Sequence, residues 1–405
     1  MTTATESPGE ESRAAKAAPV SRKRPPVITV VVVFSIVGLL HAYMGWRLIP
    51  GLQLSLACNA ALIVLLALST LLIPLSLLVP FLAGKLSKRS ASVLAWAGLL
   101  AMGCFSSMLV LTLLRDALLL SLWWFLGVDT YLWLFHTTAV LVVGVSLLLT
   151  LVGYYNARRT PRTVHVQVPI SNLPPALVGF RIAQISDIHV GPTIKREFLQ
   201  RIIERVNTLD AHVVAITGDL VDGSVAELAE HTEGLRDLRS VYGSYFVTGN
   251  HEYYSGADAW IAELRRLGVN VLHNQHCVIQ HDNSRLLLAG VSDYSGHHFG
   301  EHHRSDPHAA LIGAPVHLPK VLLAHQPRSA AAAQKAGFDL QLSGHTHGGQ
   351  FLPWNWFVPL QQPFTAGLNK LGNLWVYTSR GTGYWGPPKR LGAPAEITLI
   401  SLVAA

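Results

Sequence analysis

The chain has 405 residues, of which 50% are hydrophobic and only 14% charged, where an ordinary soluble domain carries about 25% charged residues. Residues 155–405 hold 21 Lys and Arg against 19 Asp and Glu, so most of the formal net charge of +7 lies in residues 1–154. This excludes a nucleic-acid footprint on the second part of the chain. The three cysteines, Cys58, Cys104 and Cys277, exclude a disulfide framework and a thiolate zinc motif.

In chain order, residues 1–26 are rich in Ala, Glu, Ser and Pro and end in Arg22-Lys23-Arg24. They read as a disordered basic tail. The apolar stretch from Val27 to about Leu48 is too long for a signal-peptide core and reads as a first transmembrane helix. Three more spans follow, at about Leu54–Gly84, Ser92–Leu114 and Tyr131–Tyr154. Between the last two, Ala117 to Val128 with Trp123, Trp124 and Phe125 is short for a crossing. It suits an interfacial or re-entrant segment, or part of a fifth helix. With four helices in residues 27–156, the basic clusters at 22–24, 85–89 and 158–162 share one side. The positive-inside rule makes that side cytoplasmic. None of these spans places a charge deep in its apolar region, and His41 and His136 read as packing residues, so the region reads as an anchor and not a transporter.

From residue 157 to 405 the texture becomes that of a folded domain. Strand-like runs at Arg181–Ile185, Val213–Thr217, Tyr245–Thr248, Leu286–Ala289, Val321–Ala324 and Leu340–Leu342 alternate with helical patterns. Those patterns cover Arg196–Leu209, Val225–Leu238 and Ala257–Leu267, and two more strands end the chain, at Leu374–Thr378 and Ile397–Leu402. The expected fold class is α/β, a layered sandwich.

Five strand-like runs end in polar clusters. They are Asp187-Ile188-His189; Gly218-Asp219-Leu220-Val221-Asp222; Gly249-Asn250-His251-Glu252; His325; and Gly344-His345-Thr346-His347-Gly348-Gly349-Gln350. Each alone has an ordinary reading: Asp219 as a helix cap, Asn250-His251 as a turn, His325 as a loop histidine. Their conjunction at strand ends, where α/β sheets bind ligands, reads as a metal site. Carboxylate, amide oxygen and imidazole suit Mn(II) first, with Fe or Zn(II) also accommodated. Seven ligands, Asp187, His189, Asp219, Asn250, His325, His345 and His347, suffice for two divalent ions sharing a carboxylate. His251 is left to hold a phosphoryl oxygen or protonate a leaving alkoxide.

These motifs resemble the five motifs of the calcineurin-like metallophosphoesterase superfamily, and the Gly-His-Thr-His-Gly-Gly-Gln form resembles its bacterial membrane-anchored phosphodiesterase branch. The resemblance covers roughly residues 178–405. It implies a four-layer αββα sandwich and a metal-bridging hydroxide as nucleophile. It assigns Asp187, His189, Asp219 and His347 to one ion and Asp219, Asn250, His325 and His345 to the other, with Asp219 as the bridge and His251 as catalytic. Asp222 is expected to orient a histidine or to cap a helix. Arg380 and Arg390 are candidate phosphate contacts.

Two features stand apart. The histidine-rich loop His297–His308 reads as a solvated loop or as a rim element that meets the substrate. Trp354, Trp356, Phe357 and Tyr384–Pro388 read as packing, as an apolar groove or as a bilayer-surface contact. The function expected is a membrane-anchored phosphodiesterase or pyrophosphatase acting on a phosphoester, membrane-associated or lipid-linked, with membrane lipid as a partner and no nucleic acid. The alternatives are a phosphomonoesterase or protein phosphatase, and a non-catalytic metal-binding scaffold.

Overall fold

The computed structural model describes residues 25–82 and 85–405. The expected basic tail, Arg22, Lys23 and Arg24 included, falls almost wholly outside the described residues.

Among the described residues, four helices are long and apolar enough to cross a membrane. They are α1 (Val27–Leu52), α2 (Leu56–Leu78), α3 (Lys88–Leu122) and α4 (Val128–Arg158). α3 departs from expectation. Its 35 residues run unbroken through Arg115 and Asp116 to Leu122, with only a short turn before α4. Ala117–Leu122 therefore continue α3 and form no fifth helix, while Trp123, Trp124 and Phe125 lie exposed in the turn before α4. The polar pair Arg115-Asp116 is satisfied inside the bundle. Arg115, 3% exposed, donates to the carbonyl of Phe135 at 2.8 Å and to Thr138 Oγ1 at 3.0 Å. Asp116 accepts from Arg47 Nε at 2.8 Å and from Tyr43 Oη at 2.6 Å. Paired this way, the charges stay within a helix. His41 is a packing residue, stacked on Phe105 and 2.9 Å from Ser69 Oγ.

Only three residues separate α4 from the first strand. In chain order the strands are β1 (Arg162–Ile170), β2 (Arg181–Ile185), β3 (Val213–Ile216), β4 (Ser244–Phe246), β5 (Asn270–Val271) and β6 (Gln275–His281). They continue with β7 (Ser284–Gly290), β8 (Lys320–Leu323), β9 (Leu340–Ser343), β10 (Gly367–Leu371), β11 (Leu374–Thr378) and β12 (Glu396–Ala404). One sheet has the order β1-β12-β2-β3-β4-β5 and the other β10-β11-β9-β8-β7-β6. Residues one apart on a strand face opposite layers. In β3, Val213 and Ala215 enter the core between the sheets, while Val214 and Ile216 enter the core under the helices.

The helices on the first sheet are α5 (Arg196–Asn207), α6 (Val225–Thr232), the short α7 (Asn250–Ser255) and α8 (Ala257–Arg266). The last, α9 (Ala330–Ala336), packs with several 3-10 turns on the outside of the second sheet. The layers are thus αββα, as expected. Both sheets place the carboxyl ends of their parallel strands toward one edge, and the polar clusters gather there.

Candidate metal centre

The loops after β2, β3 and β9 leave their strands through a rare backbone conformation. Asp187, His189, Asp219, His345 and His347 have φ of 53°, 57°, 50°, 70° and 51°. For non-glycine residues this left-handed region costs about 1–3 kcal/mol each and persists only where the surroundings hold it. Here the loops hold one another. The amide of Asp187 donates to the carbonyl of Gly218 at 3.0 Å, that of His189 to Asp219 at 3.1 Å, and that of Val190 to Leu220 at 2.8 Å. Two glycines admit the carboxylates. A Cβ on Gly249 would overlap Asp219 Oδ1, and one on Gly344 would overlap Asp187 Oδ2.

The side chains so placed form two adjoining groups. Asp187, His189 and His347 are one set whose candidate ligand atoms lie within 4.8 Å of one another, and Asp219, His325 and His345 are the other. Asp219 Oδ2 stands between them, 3.1 Å from His325 Nε2 and 3.9 Å from His189 Nε2. His189 Nε2 and His347 Nε2 are 3.0 Å apart, and His345 Nδ1 lies 3.2 Å from His325 Nε2. Asn250 Oδ1 is buried with no hydrogen-bond partner. Convergent nitrogens at contact distance and an orphaned amide oxygen are a donor set suited to borderline divalent cations.

A second tier fixes the rings. Asp222 Oδ1 accepts from His189 Nδ1 at 3.0 Å and from His251 Nδ1 at 2.6 Å, which turns both Nε2 atoms inward. Asp222 therefore orients two histidines, and the neighbouring helix is capped by Ser224 instead. Burial pushes the Asp222 carboxyl up, but the two imidazoles outweigh it and hold it below the usual range. For His251, burial opposes charge, yet the Asp219 and Asp222 carboxylates raise its pKa to about 9. His325 Nδ1 donates to the carbonyl of Thr217 at 2.7 Å, freeing its Nε2 for the centre.

Arg390 is fully buried, with one guanidinium nitrogen 3.0 Å from the carbonyl of His347 and another 2.9 Å from His347 Nδ1. A guanidinium only donates. It therefore orients the His347 ring from its Nδ1 edge, through contacts to the ring and to the residue's own carbonyl. Arg380 runs beside Gly348 and pairs with the buried Glu396 at 2.8 Å. Next to Arg390, Lys389 enters the helical bundle. Its Nζ donates to the carbonyl of Gly103 at 2.8 Å and to Ser107 on α3, and sits 3.4 Å from Thr150 Oγ1 on α4. The amide of Arg390 donates to the carbonyl of Gly153 at 2.9 Å. Small residues on α3 and α4 let this loop in, as they do where helices pack closely. Two consecutive residues thus link the bundle to His347.

Glu252 has no role that the sequence alone reveals. Fully buried, it accepts from the amides of Gly249, Asp219 and Leu220 at 2.6, 3.0 and 2.8 Å and so ties two loops together. Its place next to His251 is visible along the chain, but nothing local marks a carboxylate that acts on the backbone of another loop. His302 and His303 of the histidine-rich loop form a separate group with Asp258 of α8, two of the three exposed.

All these cluster residues, from Asp187 to His347, fall within residues 180–349, which match the family model described as calcineurin-like phosphoesterase. A transmembrane protein with metallophosphoesterase domain from Danio rerio is 39% identical over 280 residues, 66% of this chain and 63% of that protein. Its Bos taurus namesake is 42% identical over 278 residues, 65% and 62% respectively. The chain thus spans less than two thirds of these two relatives. An uncharacterized metallophosphoesterase of Campylobacter jejuni is 37% identical over 265 residues, covering 64% of this chain and 68% of that one. With the family's domain over the strand-end loops and a relative matched over most of its length, this chain belongs to the calcineurin-like phosphoesterase family.

Proposed function

We propose that the protein is a membrane-anchored, dinuclear metal-dependent phosphohydrolase, and specifically a phosphodiesterase or pyrophosphatase with a lipid-linked substrate. Its proposed organisation is a tail (1–26), a helical anchor (27–156) and a catalytic domain (157–405). The carrying observation is Asp219 Oδ2, which lies within reach of both ligand groups. Asp187, His189, Asp219 and His347 would hold one ion, and Asp219, Asn250, His325 and His345 the other. Mn(II) fits this oxygen and nitrogen set, as do Fe and Zn(II). When bound, two such ions supply an activated water-derived nucleophile and offset charge on phosphorus.

The chain's own residues do the rest. Asp222 accepts from His251 Nδ1 and turns its Nε2 toward the centre. A proton carried there is available to a phosphoryl oxygen or a departing alkoxide. Arg390 cannot reach substrate and acts by positioning His347. Arg390→Gln is expected to lower metal affinity about 10–100-fold, as loss of such outer partners does, measured by chelator competition. Unchanged affinity would mean that Arg390 serves the fold alone.

Location supports the lipid-linked substrate. Trp354 Nε1 donates to Ser106 Oγ, near the middle of α3, at 2.9 Å. Trp356, Leu360 and Trp385 are 71%, 80% and 55% exposed. Trp385 also packs edge-on against His251, with ring centroids 5.8 Å apart, so this apolar surface adjoins the centre. Four crossings would put residues before α1 and after α4 on one side, and the basic residues Arg158, Arg159 and Arg162 support a cytoplasmic placement.

The test is a turnover screen of the purified full chain. It sets aryl phosphomonoesters and diesters, nucleoside-diphosphate lipids and phospholipids against Mn(II), Fe(II) and Zn(II). Metal-dependent cleavage of diesters or pyrophosphates is expected, and a monoester-only profile overturns the assignment.

A further inference from the structure

Beside the metal centre lies a cavity of about 260 Å³ that neither the ligand set nor His251 explains. Asn250 and His345 belong to its lining, so a group bound there adjoins the ligand group built on Asp219, His325 and His345. Tyr254, edge-on to His251 with centroids 5.5 Å apart, also lines it. So do His297 from the histidine-rich loop and Arg328 from the turn after His325.

Two groups in this lining are short of partners. The first is Arg328. Its Nε donates to the carbonyl of Gln361 at 2.6 Å, and its guanidinium lies 6.0 Å over the Tyr294 ring. No carboxylate pairs with it among the described residues. The second is Gln362, 5% exposed. The orientation of its amide is set from a distance. Asp293 Oδ1 accepts from the Ser295 amide at 2.8 Å, and Gln326 Nε2 donates to both Asp293 oxygens at 3.0 and 3.1 Å. Gln326 Oε1 must then accept, and Gln362 Nε2 donates to it at 3.2 Å. The relay ends on Gln362 Oε1, a buried acceptor with no partner. Leaving such an acceptor unmade is costly, which points to a ligand that donates to it.

We propose that this cavity is the subsite for the polar head group of the substrate. The head group carries a second anionic group for Arg328 and a hydroxyl or amino donor for Gln362 Oε1, one linkage from the scissile phosphorus. Arg suits a planar, two-point grip on phosphate or carboxylate. His297 also lines the cavity, which gives the histidine-rich loop a role at the rim. This inference rests on the phosphohydrolase reading and narrows its substrate class.

The probes are methylphosphonate and methylenediphosphonate, which differ by one anionic group. Their binding is measured by calorimetry on the full Mn(II)-loaded chain in detergent. The wild type is expected to bind methylenediphosphonate at least ~10-fold more tightly, a difference of about 1.4 kcal/mol. Arg328→Ala should shrink that ratio below about threefold and Arg328→Lys should restore part of it, because the second anion loses and then regains a cation. A wild type without the preference, or an Arg328→Ala protein that keeps it, overturns the subsite. Turnover of an aryl phosphodiester by the same preparation separates the two ideas. Turnover with an unaltered ratio sinks the subsite alone. No turnover of any ester, with the ratio behaving as expected, sinks the hydrolase reading and leaves the subsite standing.

Discussion

Asp219→Asn is expected to reduce bound metal from two ions per chain to one or fewer and to lower turnover on the order of 10³-fold. The substitution is nearly isosteric, so the loop is retained. Asp219 Oδ1 receives the amide of His251 at 2.9 Å, and an asparagine oxygen can take over that bond. The second oxygen is lost. Oδ2 is the atom 3.1 Å from His325 Nε2 and 3.9 Å from His189 Nε2, and an amide nitrogen there is a donor that no cation accepts. Both ligand groups lose a shared negative charge in one change. Elemental analysis with turnover on the same sample decides it. Two ions per chain and activity within about tenfold of wild type would remove Asp219 from the bridging position.

His251→Gln should separate chemistry from metal binding. Metal content is expected to stay at two, because His251 is not among the seven proposed ligands and its Nδ1 is held by Asp222 at 2.6 Å. Turnover should fall about 10²–10⁴-fold, the usual range for a lost general acid. The leaving group then distinguishes its roles. p-Nitrophenolate departs without a proton, so an aryl ester should lose less activity than an alkyl ester if His251 donates the proton. An equal loss on both means that His251 holds a phosphoryl oxygen. Loss of metal with the variant would refute either role.

Much of the centre is legible along the chain because its parts lie at strand ends. Apolar runs that stop at Asp187, Asp219, Asn250, His325 and His345 mark where the strands end and which donors sit just beyond them. The continuous apolar run Val213–Ile216 announces a strand buried on both faces, and it is one. The strands β1, β6 and β10 are not legible in the same way. Arg162–Ile170 and Gln275–His281 carry a weaker apolar pattern, with exposed positions along them. α9 is equally hidden, because Ala330–Ala336 is alanine-rich and short, with no amphipathic signal to read. In α3 the pair Arg115-Asp116 reads as a break, since a charge in an apolar run suggests a loop when its partners are remote. Those partners, Arg47, Tyr43, Phe135 and Thr138, sit on two other helices.

The same distinction separates the two arginines of the last loops. Arg380 and Arg390 look alike along the chain, yet one pairs with Glu396 and the other is buried against His347. Lys389 reads as an ordinary basic residue until the fold brings Gly103, Ser107 and Thr150 around its ammonium. By itself the sequence determined the strand ends, the donor types and the apolar spans, since each is written in one continuous stretch of chain. Tertiary structure alone decided that Asp219 reaches both ligand groups, that Asp222 serves two histidines, and that Gln362 ends a relay with an unpaired oxygen. Each of those depends on distances between loops far apart in sequence, and a hydrogen bond or a shared ligand has no periodicity along the chain to betray it.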